Sequence, residues 1–463
     1  MTTVERVSSF SAPIEVHTLV IGAGACGLVA ALTASAAGGE VLVIERDAIP
    51  SGSTGLSSGL IPAAGTRFQA DRGVNDSAEL LTADILRKNH NRTDATLARA
   101  AADLSSEAIH DLADRHEVKF ELVEGFLYPG HSVARMHGTP RRTGQELMGM
   151  LASAAERARL DILTSAHATK LFADSDRRVL GVEVTRPGGE RERIACRALV
   201  LACNGYGGNP ALVSRHIPAM ANAIYFGHVG NQGDALHWGE ALGAAIADLS
   251  SYQGHGSVAH PHGVLITWAL MMEGGIQVNS AGRRFSNEHL GYSEQAEAVL
   301  AQPDGIAIGI HDGRLHALGM EFEDYRNAET LGAIKHARSA GELARLFSLP
   351  EDELSRTLEQ VDALAREAGR DHFGRTFAPA KRLQPPYCGV RVTGTLFHTQ
   401  GGLTIDREAR VLRPDGGRLP NLFAGGGAAR GLSGPEASGY LSGNGLLTAI
   451  SLGRAAGLAA PAL

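Results

Sequence analysis

The stretch that most constrains this chain is residues 17–47, whose pattern predicts a strand, a glycine-rich turn, an alanine-rich helix and a second strand. The turn carries Gly22, Gly24 and Gly27 at the spacing G-x-G-x-x-G, and the second apolar run ends on Glu45. In a βαβ dinucleotide site the first glycine makes a tight turn, the second lets a pyrophosphate approach the backbone, and the third lets the helix meet the strand. The helix N-terminus attracts phosphate, and an acid at the spacing of Glu45 accepts a hydrogen bond from a ribose hydroxyl. The stretch therefore predicts an adenine-dinucleotide site; a glycine-rich turn in an α/β domain without a ligand is the alternative.

Length and charge exclude several classes of protein. A chain of 463 residues exceeds one ordinary core, so we expect two domains, one of them inserted into the other. The net charge of −7 is mild and not segregated, which argues against binding to nucleic acid or to anionic membranes. No apolar run approaches the length of a membrane span, and the residues before the first strand contain no hydrophobic signal core. We therefore expect a cytoplasmic protein, of an oligomeric state that the sequence leaves open.

The four cysteines are scattered along the chain. Cys26, Cys196, Cys203 and Cys388 form no C-x-x-C pair. This spacing argues against a disulfide framework, a zinc site and a dithiol redox centre, so we expect no metal. Cys26, inside the glycine turn, is most simply a small packing residue.

The first half of the chain alternates between helical and strand-like patterns. Residues 51–66 are crowded with glycine, serine and threonine, which suits either a solvated loop or a loop that wraps a pyrophosphate and a flavin ring. Helical periodicity follows in residues 77–117 and 138–160, and strand-like segments follow in residues 161–172, 179–185 and 192–203. This alternation predicts an α/β domain.

The pattern of predicted secondary structure changes near residue 251. Residues 274–302 predict a hairpin with the turn Ser280-Ala-Gly282, followed by a helix, and residues 340–370 are helical and polar with a helix start at Pro350. We expect this part to be a separate capping domain. The predicted division is residues 14–250 and 391–463 for the dinucleotide domain and residues 251–390 for the cap.

The C-terminal part repeats the strand–glycine–helix pattern. Strand-like character resumes in residues 394–405, and a strand runs into the glycines of residues 422–427 before an apolar helix at residues 446–458. Two such units so far apart suit one extended dinucleotide held by both ends of the chain. This favours FAD over NAD.

The residues that we expect to contact the cofactor lie in these glycine-rich and hydroxyl-rich segments. They are Gly22, Ala23, Gly24, Ala25, Cys26, Gly27, Glu45, Arg46, Ser53, Thr54, Ser57, Ser58, Gly59, Ala168, Ala202, Cys203, Asn204, Gly205, Gly426, Gly427, Ser442, Asn444, Gly445, Leu446 and Leu447.

Several motifs together resemble one flavoprotein superfamily. They are GAGACG with IERD, VLACNGYGGN, NQGDALHWGEALGA, GGIQVNSAGRRFSNE, FHTQGG, LFAGGG and SGNGLLTAISLGRAAG. Over residues 15–460 the chain resembles the fumarate reductase and ketosteroid dehydrogenase superfamily. The resemblance implies an α/β fold in which a Rossmann-like FAD-binding domain is split by an inserted α+β capping domain. It also implies hydride exchange between flavin N5 and a carbon α or β to an activating carbonyl, with the substrate held between cap and flavin.

The resemblance also bears on how the flavin is attached. Covalent members of the superfamily use a histidine in the loop after the acidic residue. That loop here carries Ser53 and Thr54 and no histidine, so we expect non-covalent FAD.

The active-site positions differ from those of true fumarate reductases. The resemblance implies that those enzymes hold a dicarboxylate with two histidines and two arginines. His255 and His398 stand at the histidine positions, whereas Tyr292 and Tyr440 stand where the arginines would be. A buried dicarboxylate would lose its bidentate partners, and unpaired buried charges cost several kcal/mol. Fumarate is therefore a poor candidate substrate.

The tyrosines resemble the ketosteroid dehydrogenase arrangement instead. That resemblance implies that Tyr292 is the base and that Tyr440 polarises a ketone oxygen with the amide of Gly443. A cationic His255 or His398 would lower the pKa of the nearby tyrosine. Each tyrosine also has a structural reading, because buried tyrosines commonly satisfy a hydroxyl in a core.

We expect α,β-dehydrogenation of a cyclic ketone or keto acid, with a small-molecule carbonyl substrate and an external electron acceptor or donor as partners. The first alternative is a reductase of an activated alkene, an enoate or enone, fed by an external donor. The alternative from another class is a flavin-binding sensor without turnover. A disulfide reductase is disfavoured by the missing second G-x-G-x-x-G and the missing C-x-x-C.

Overall fold

A computed structural model describes residues 2–463, and a nine-stranded sheet forms the framework of its larger domain. The strands follow in the order Thr3–Arg6, His167–Ala173, Val179–Thr185, Arg191–Leu201, Ile14–Ile21, Val41–Ile44 and Asp161–Leu163. Two further strands, Arg418–Ala424 and Arg410–Leu412, extend the sheet beside Arg191–Leu201. The strands around Ile14–Ile21 are parallel, so their carboxyl ends meet at one edge, where ligands of open α/β sheets bind.

The two chain ends meet at this sheet. The strand Ile14–Ile21 becomes fully buried where its apolar run begins, and it leads into the almost entirely buried helix Ala25–Ala36. That helix packs along the C-terminal helix Asn444–Ala459. By length and apolar composition the C-terminal segment Asn444–Ala462 could cross a membrane, but 61% of its most apolar stretch is buried within the protein. Its apolar character is therefore explained by packing, and the expected cytoplasmic location stays a prediction.

Both the larger domain and the cap contain helices. In the larger domain they are Ala25–Ala36, Gly52–Gly55, Arg67–Ala70, Ala78–Lys88, Ala95–Asp114, Gly144–Arg157, Pro210–His216, Asp234–Leu242 and Asn444–Ala459. In the cap they are Ala269–Met272, Tyr292–Leu300, Gly313–Gly319, Glu323–Thr330, Ala340–Phe347 and Glu351–Arg366. Short 3₁₀ turns occur at Pro218–Met220, Pro303–Gly305, Pro379–Lys381, Gly426–Ala428, Ala437–Gly439 and Ala460–Ala462.

The cap has its own sheet, centred on the long strand Tyr387–Thr399. Its partners are Tyr252–Ala259, Val264–Leu265, Ile276–Val278, Ile306–Asp312, Ile334–Ala337 and Ile224–Tyr225. Small sheets elsewhere join Ile246–Ala247 to Gly402–Leu403, and join Ile61–Pro62 and Glu121–Leu122 to Met136–Gly138. The buried side chains form one cluster in the larger domain and a second in the cap. The expected α/β fold with an inserted α+β cap is confirmed.

The cap differs from the sequence-based expectation at its predicted hairpin. The predicted hairpin is wrong in its second arm: Gly282 N–H donates to the Asn279 carbonyl in a turn, but the strand Ile276–Val278 pairs with Ile306–Asp312 instead. The residues after the turn form buried ion pairs rather than a ladder. The division of the chain at residue 390 stays a proposal, and the strand Tyr387–Thr399 runs across it.

Candidate active site

One elongated cleft, about 1780 Å³ including its open mouth, runs from the glycine turn of the larger domain to the underside of the cap. Its walls come from the N-terminal part of the chain, from the cap and from the C-terminal glycine-rich segment. A single cleft thus joins both ends of the sequence with the cap.

The glycine turn forms one end of this cleft. Gly22 has a φ of 104°, and a Cβ there would lie 2.6 Å from the Ala202 carbonyl oxygen. A Cβ on Gly27 would overlap the Gly22 carbonyl oxygen, because the helix crosses the turn at this point. A Cβ on Gly24, by contrast, would meet only Thr54 Oγ1, at 3.5 Å. The space over Gly24 is therefore an open cradle at a helix N-terminus, which fits a pyrophosphate.

Glu45 is fixed by the backbone around it. Its Oε2 accepts a hydrogen bond from Ala23 N–H at 2.8 Å, and its Oε1 accepts one from Asp47 N–H at 3.0 Å. Each carboxylate oxygen retains a lone pair, so the acid can still accept from a ribose hydroxyl in the cleft. Beside it, the Arg46 guanidinium donates to the Gly230 carbonyl at 3.1 Å, and Asp47 pairs with His228 at 2.7 Å. These contacts hold the rim of the dinucleotide end.

Most of the expected cofactor residues line the cleft. They are Gly22, Gly24, Ala25, Cys26, Glu45, Arg46, Ser53, Thr54, Ser57, Ser58, Gly59, Ala168, Ala202, Cys203, Asn204, Gly426, Gly427, Ser442, Gly445 and Leu446. The fit of this set to an extended FAD rests on the open cradle at Gly24 and on the contribution of both chain ends. Thr54 lies at the cradle, where its Oγ1 accepts from Ala25 N–H, and Ser53 Oγ accepts from Asn231 on the wall of the cleft. Release of FAD on acid denaturation would test the predicted non-covalent attachment.

The other expected cofactor residues lie behind the wall of the cleft. Ala23 turns its amide toward Glu45, and Gly27 supports the turn from beneath. Gly205 packs against Thr399, where a Cβ would overlap the threonine hydroxyl. Asn444 and Leu447 are fully buried in the C-terminal helix. These five residues shape the cleft without lining it.

The other end of the cleft brings together the four side chains expected to be catalytic. The His255 ring stacks on Tyr292 with centroids 4.8 Å apart and an interplanar angle of 19°. The rings of Tyr292 and Tyr440 lie 6.0 Å apart, and those of His398 and Tyr440 lie 5.8 Å apart. The sequence positions of these residues span almost 200 residues of chain, yet all four line the cleft.

Backbone amides at the start of the C-terminal helix complete this cluster. Gly445 N–H donates to the Tyr440 hydroxyl at 3.3 Å. Ser442 and the amide of Gly443 lie close to the Tyr292 hydroxyl and favour its ionised form, and Tyr292 does the same for Tyr440. Gly443 has a φ of 84° and caps the helix Asn444–Ala459. The partial positive charge of the helix N-terminus therefore faces the two phenols.

The expectation that His255 or His398 is cationic is wrong, because burial makes both rings neutral. Burial lowers the pKa of His255 to about 3 and that of His398 to about 4. Ser257 N–H donates to His255 Nδ1 at 3.1 Å, so the proton of the neutral ring lies on Nε2. Gln400 Nε2 lies 3.0 Å from His398 Nδ1. The histidines therefore offer hydrogen bonds rather than charge.

Burial also keeps the tyrosines protonated. The pKa values of Tyr292 and Tyr440 are raised far above their usual range because the phenolate forms would be desolvated. Among the described residues that line the cleft, Arg46 at the dinucleotide end is the only arginine, and none is a lysine. The substrate end is thus electrically neutral and rich in donors.

Further aromatic residues line the substrate end of the cleft, and the sequence offers Tyr128 among them as a candidate third active-site tyrosine. Tyr128 joins the tyrosine pair near Thr267, and burial raises its pKa to about 12. Trp268 stands edge-on to His255, with ring centroids 5.6 Å apart, and Phe397 flanks the same histidine at 5.5 Å. Phe397 directly precedes His398, and strand alternation alone would have pointed it away from the site. No sequence signal marked Trp268.

A buried ion network supports the segment that carries Tyr292. Glu288 accepts from Arg284 at 2.6 Å and from Arg375 at 2.8 Å, and Arg284 also pairs with Asp371. Although burial alone would raise the pKa of Glu288, the two arginines hold it at about 2. Since breaking a buried pair leaves an uncompensated charge, this network fixes the loop before Tyr292.

Comparison with known proteins agrees with this site. Residues 17–446 match the FAD binding domain family, so the chain belongs to that family. A probable fumarate reductase of Shewanella frigidimarina is 27% identical over 441 residues, covering 95% of this chain and 74% of that protein.

Two solved structures resemble the whole fold. The open conformation of a flavocytochrome c3 fumarate reductase has a TM-score of 0.80 at 26% identity, covering 98% of this chain and 79% of that one. A 3-ketosteroid-Δ4-(5α)-dehydrogenase from Rhodococcus jostii, in complex with 4-androstene-3,17-dione, has a TM-score of 0.78 at 24% identity and covers all of both chains. Together with the family match, these relatives show an FAD-dependent oxidoreductase that acts on CH–CH groups.

Proposed function

We propose that this protein dehydrogenates the CH–CH bond beside the carbonyl of a neutral, apolar ketone, most simply a cyclic one. The observation that carries the proposal is the pair of tyrosines, Tyr292 and Tyr440, that faces helix-terminal amides in a site without a cationic side chain. A dicarboxylate or keto acid would bring a charge that nothing there neutralises. The aromatic walls of Trp268, Phe226 and Phe397 suit the body of a ring.

The proposed binding mode places the ketone oxygen between the Tyr440 hydroxyl and the amide of Gly443, with Gly445 N–H as the neighbouring donor. Donors aimed at a developing oxyanion typically lower a barrier by about 3 kcal/mol. Their hydrogen bonds acidify the proton on the α-carbon. FAD, when bound, supplies the two-electron acceptor that removal of the β-hydrogen as hydride requires.

Tyr292 is the proposed acceptor of the α-proton. To act as the base, Tyr292 must first lose its hydroxyl proton to solvent, and Ser442 and the amide of Gly443 can donate to its oxygen and so stabilise the phenolate. The phenolate then takes the α-proton and becomes a neutral phenol again. Because burial disfavours the phenolate, the proton transfer must coincide with polarisation of the ketone, which couples the roles of the two tyrosines.

The same raised pKa supports a second candidate, the reduction of an activated alkene. A tyrosine that stays protonated is ready to donate its proton to an α-carbon, and an external donor would then supply the electrons. The names of relatives such as the fumarate reductase of Shewanella frigidimarina are consistent with this direction. Both candidates use Tyr292 at the same carbon.

Anaerobic mixing of the FAD-loaded enzyme with saturated cyclic ketones tests the proposal. We expect the flavin absorbance to bleach with the ketones and not with succinate. Bleaching only by reduced donors, followed by reoxidation with cyclic enones, would favour the reductase. No redox response to either class of compound would leave the flavin-sensor alternative and contradict the proposal.

Substitution of the proposed base, Tyr292, is the second test of the proposed function. Tyr292→Phe should lower turnover by a factor of about 10² to 10⁴ while the flavin spectrum stays unchanged, because only the proton acceptor is lost. Tyr387→Phe, at a half-buried tyrosine outside the cleft, is the matched control and should retain parent turnover. Equal turnover in the two variants would exclude Tyr292 as the base.

A further inference from the structure

We propose that His311, His316, His336 and Cys388 form a binding site in the cap for a divalent metal ion of borderline softness, with Zn²⁺ as the best match. None of these residues lines the flavin cleft. The proposal does not depend on the reaction that the protein catalyses.

The sheet of the cap aligns three of the four ligands. Cys388 lies in the central strand Tyr387–Thr399, and its cross-strand partners are His311 on one side and His336 on the other. Directly opposite residues of paired strands point to the same face of a sheet. Three ligand-type side chains therefore stand in one row across three strands. His316 joins them from the helix Gly313–Gly319, which follows the strand of His311.

The distances are close to those of a metal site. One ligand atom each from His311, His316 and Cys388 lie within 4.8 Å of one another, and Cys388 Sγ lies 3.4 Å from His336 Nδ1. The rings of His316 and His336 have centroids 5.1 Å apart. With Zn–S near 2.3 Å and Zn–N near 2.0–2.1 Å, neighbouring donors of a tetrahedral site are about 3.4–3.6 Å apart. Contraction by about 1 Å would bring the donor atoms of His311, His316 and Cys388 to this spacing, and His336 would join them through its contact with the sulfur.

The outer contacts of the histidines also fit. His336 Nε2 lies 2.8 Å from Glu329 Oε1, which leaves Nδ1 directed at the sulfur. The Tyr325 hydroxyl lies 2.6 Å from His311 Nε2 and 3.0 Å from His316 Nδ1. Metal-binding histidines commonly use their second nitrogen in this way, with a carboxylate or another polar group as partner.

An unsatisfied atom gives independent support. His311 is fully buried, and among the described residues its Nδ1 has no hydrogen-bond partner. Such a buried polar atom is destabilising unless something binds it.

The donor set selects the class of metal. Three imidazoles and one thiol suit Zn²⁺, Co²⁺ or Cu²⁺ and do not suit Mg²⁺ or Ca²⁺, which prefer oxygen ligands. Metal binding must displace the thiol proton of Cys388, because the thiolate is the ligand. Four protein ligands close the coordination sphere, which is the pattern of a structural site. An ion there would tie the helix Gly313–Gly319 to the sheet through His316.

Metal titration of the FAD-loaded protein, after treatment with a chelator, tests the proposal. We expect one equivalent of Zn²⁺ to bind and to raise the melting temperature. Co²⁺ should produce the near-ultraviolet charge-transfer band of a cobalt–thiolate bond. Absence of stoichiometric binding would overturn the proposal.

Two substitutions with matched controls assign the ligands. Cys388→Ser should abolish the cobalt–thiolate band, whereas Cys196→Ser, at a buried cysteine of the larger domain, should retain it. His336→Ala should weaken Zn²⁺ binding at least tenfold and leave the fold intact, because its side chain is 52% exposed. His262→Ala, at an exposed histidine elsewhere in the cap, should bind like the parent. Equal affinity in the His336 and His262 variants would also overturn the proposal.

Discussion

The two ends of the cleft are built on different principles. At the dinucleotide end the chain presents backbone groups, a helix N-terminus and the fixed carboxylate of Glu45, all within a short stretch of sequence. At the substrate end four aromatic or imidazole side chains converge from the strand Tyr252–Ala259, the helix Tyr292–Leu300, the strand Tyr387–Thr399 and the turn before the C-terminal helix. One end is local and polar, and the other is assembled and neutral.

Cofactor binding and substrate chemistry therefore depend on different levels of structure. A phosphate cradle needs free amides and room, which a glycine pattern provides without help from distant residues. A neutral carbonyl site needs desolvation, and desolvation exists only once several segments have packed together. Substitutions at the first end should therefore act on cofactor binding, and those at the second on turnover or on the response to pH.

The largest effect is expected at the cradle. Gly24→Leu should abolish FAD binding and therefore all activity, because its side chain would fill the space for the pyrophosphate. Its Cβ meets only Thr54 Oγ1, at 3.5 Å, so the apoprotein should still fold. Flavin absorbance and circular dichroism of the purified variant measure the two properties. Gly149→Leu, at a helical glycine with open space around it, is the control, and retention of FAD by both would contradict the assignment.

At the substrate end, Tyr440→Phe should lower turnover about 100-fold, in line with the loss of one oxyanion donor. FAD content should stay unchanged, which distinguishes this variant from the cradle variant. Steady-state kinetics with the best ketone give the measurement. A change in KM alone would mean that Tyr440 binds the substrate equally in the ground and transition states.

The pH dependence of turnover should separate the two directions of reaction. Since the pKa of Tyr292 is raised well above 10, the phenolate fraction grows about tenfold per pH unit at neutral pH. Dehydrogenation should therefore accelerate from pH 7 to pH 9, whereas proton donation in alkene reduction should not. His255 and His398 have pKa values of about 3 and 4, so neither should add an inflection in this range. An inflection near pH 6.5 that disappears in a His398 variant would refute their neutrality.

The smallest effect per residue concerns stability in mild acid. Burial lowers the pKa values of His131, His137, His255 and His398 to between about 3 and 4, below the usual 6.5. A depressed histidine pKa gives stability that is present above pH 6.5 and is lost as the pH falls toward 4, because the unfolded chain binds more protons. Each such histidine should cost about 2 kcal/mol of unfolding free energy at pH 5. Calorimetry should show a melting temperature several degrees lower at pH 5 than at pH 7, and a constant melting temperature would contradict this account.

Sequence reasoning succeeded where a pattern is local. The strand, turn, helix and acid of residues 17–47 lie as expected, and Gly22, Gly24 and Glu45 line the cleft. It failed at the hairpin after Val278, where Arg284 forms buried ion pairs with Glu288 and Asp371. The motif resemblance did bring Tyr292 and Tyr440 together, because it carries tertiary information that periodicity lacks.

The cysteine spacing also says nothing about which residues lie beside Cys388 in the folded protein. Cys388 has no neighbouring cysteine or histidine in the sequence, so spacing alone predicted no metal site. Strand pairing places His311 and His336 on either side of it, 77 and 52 residues away along the chain. Sheet register decides such contacts, and no linear spacing records it.

By itself, the sequence determined that this protein holds an adenine dinucleotide, because glycines and a helix start act through backbone atoms that lie next to one another in the chain. Only the tertiary structure decided that the substrate end is neutral. The charge of His255 depends on how completely Trp268, Tyr292 and Phe397 exclude water from it, and these residues come from three different segments. A pKa is set by surroundings, and the surroundings exist only in the folded protein.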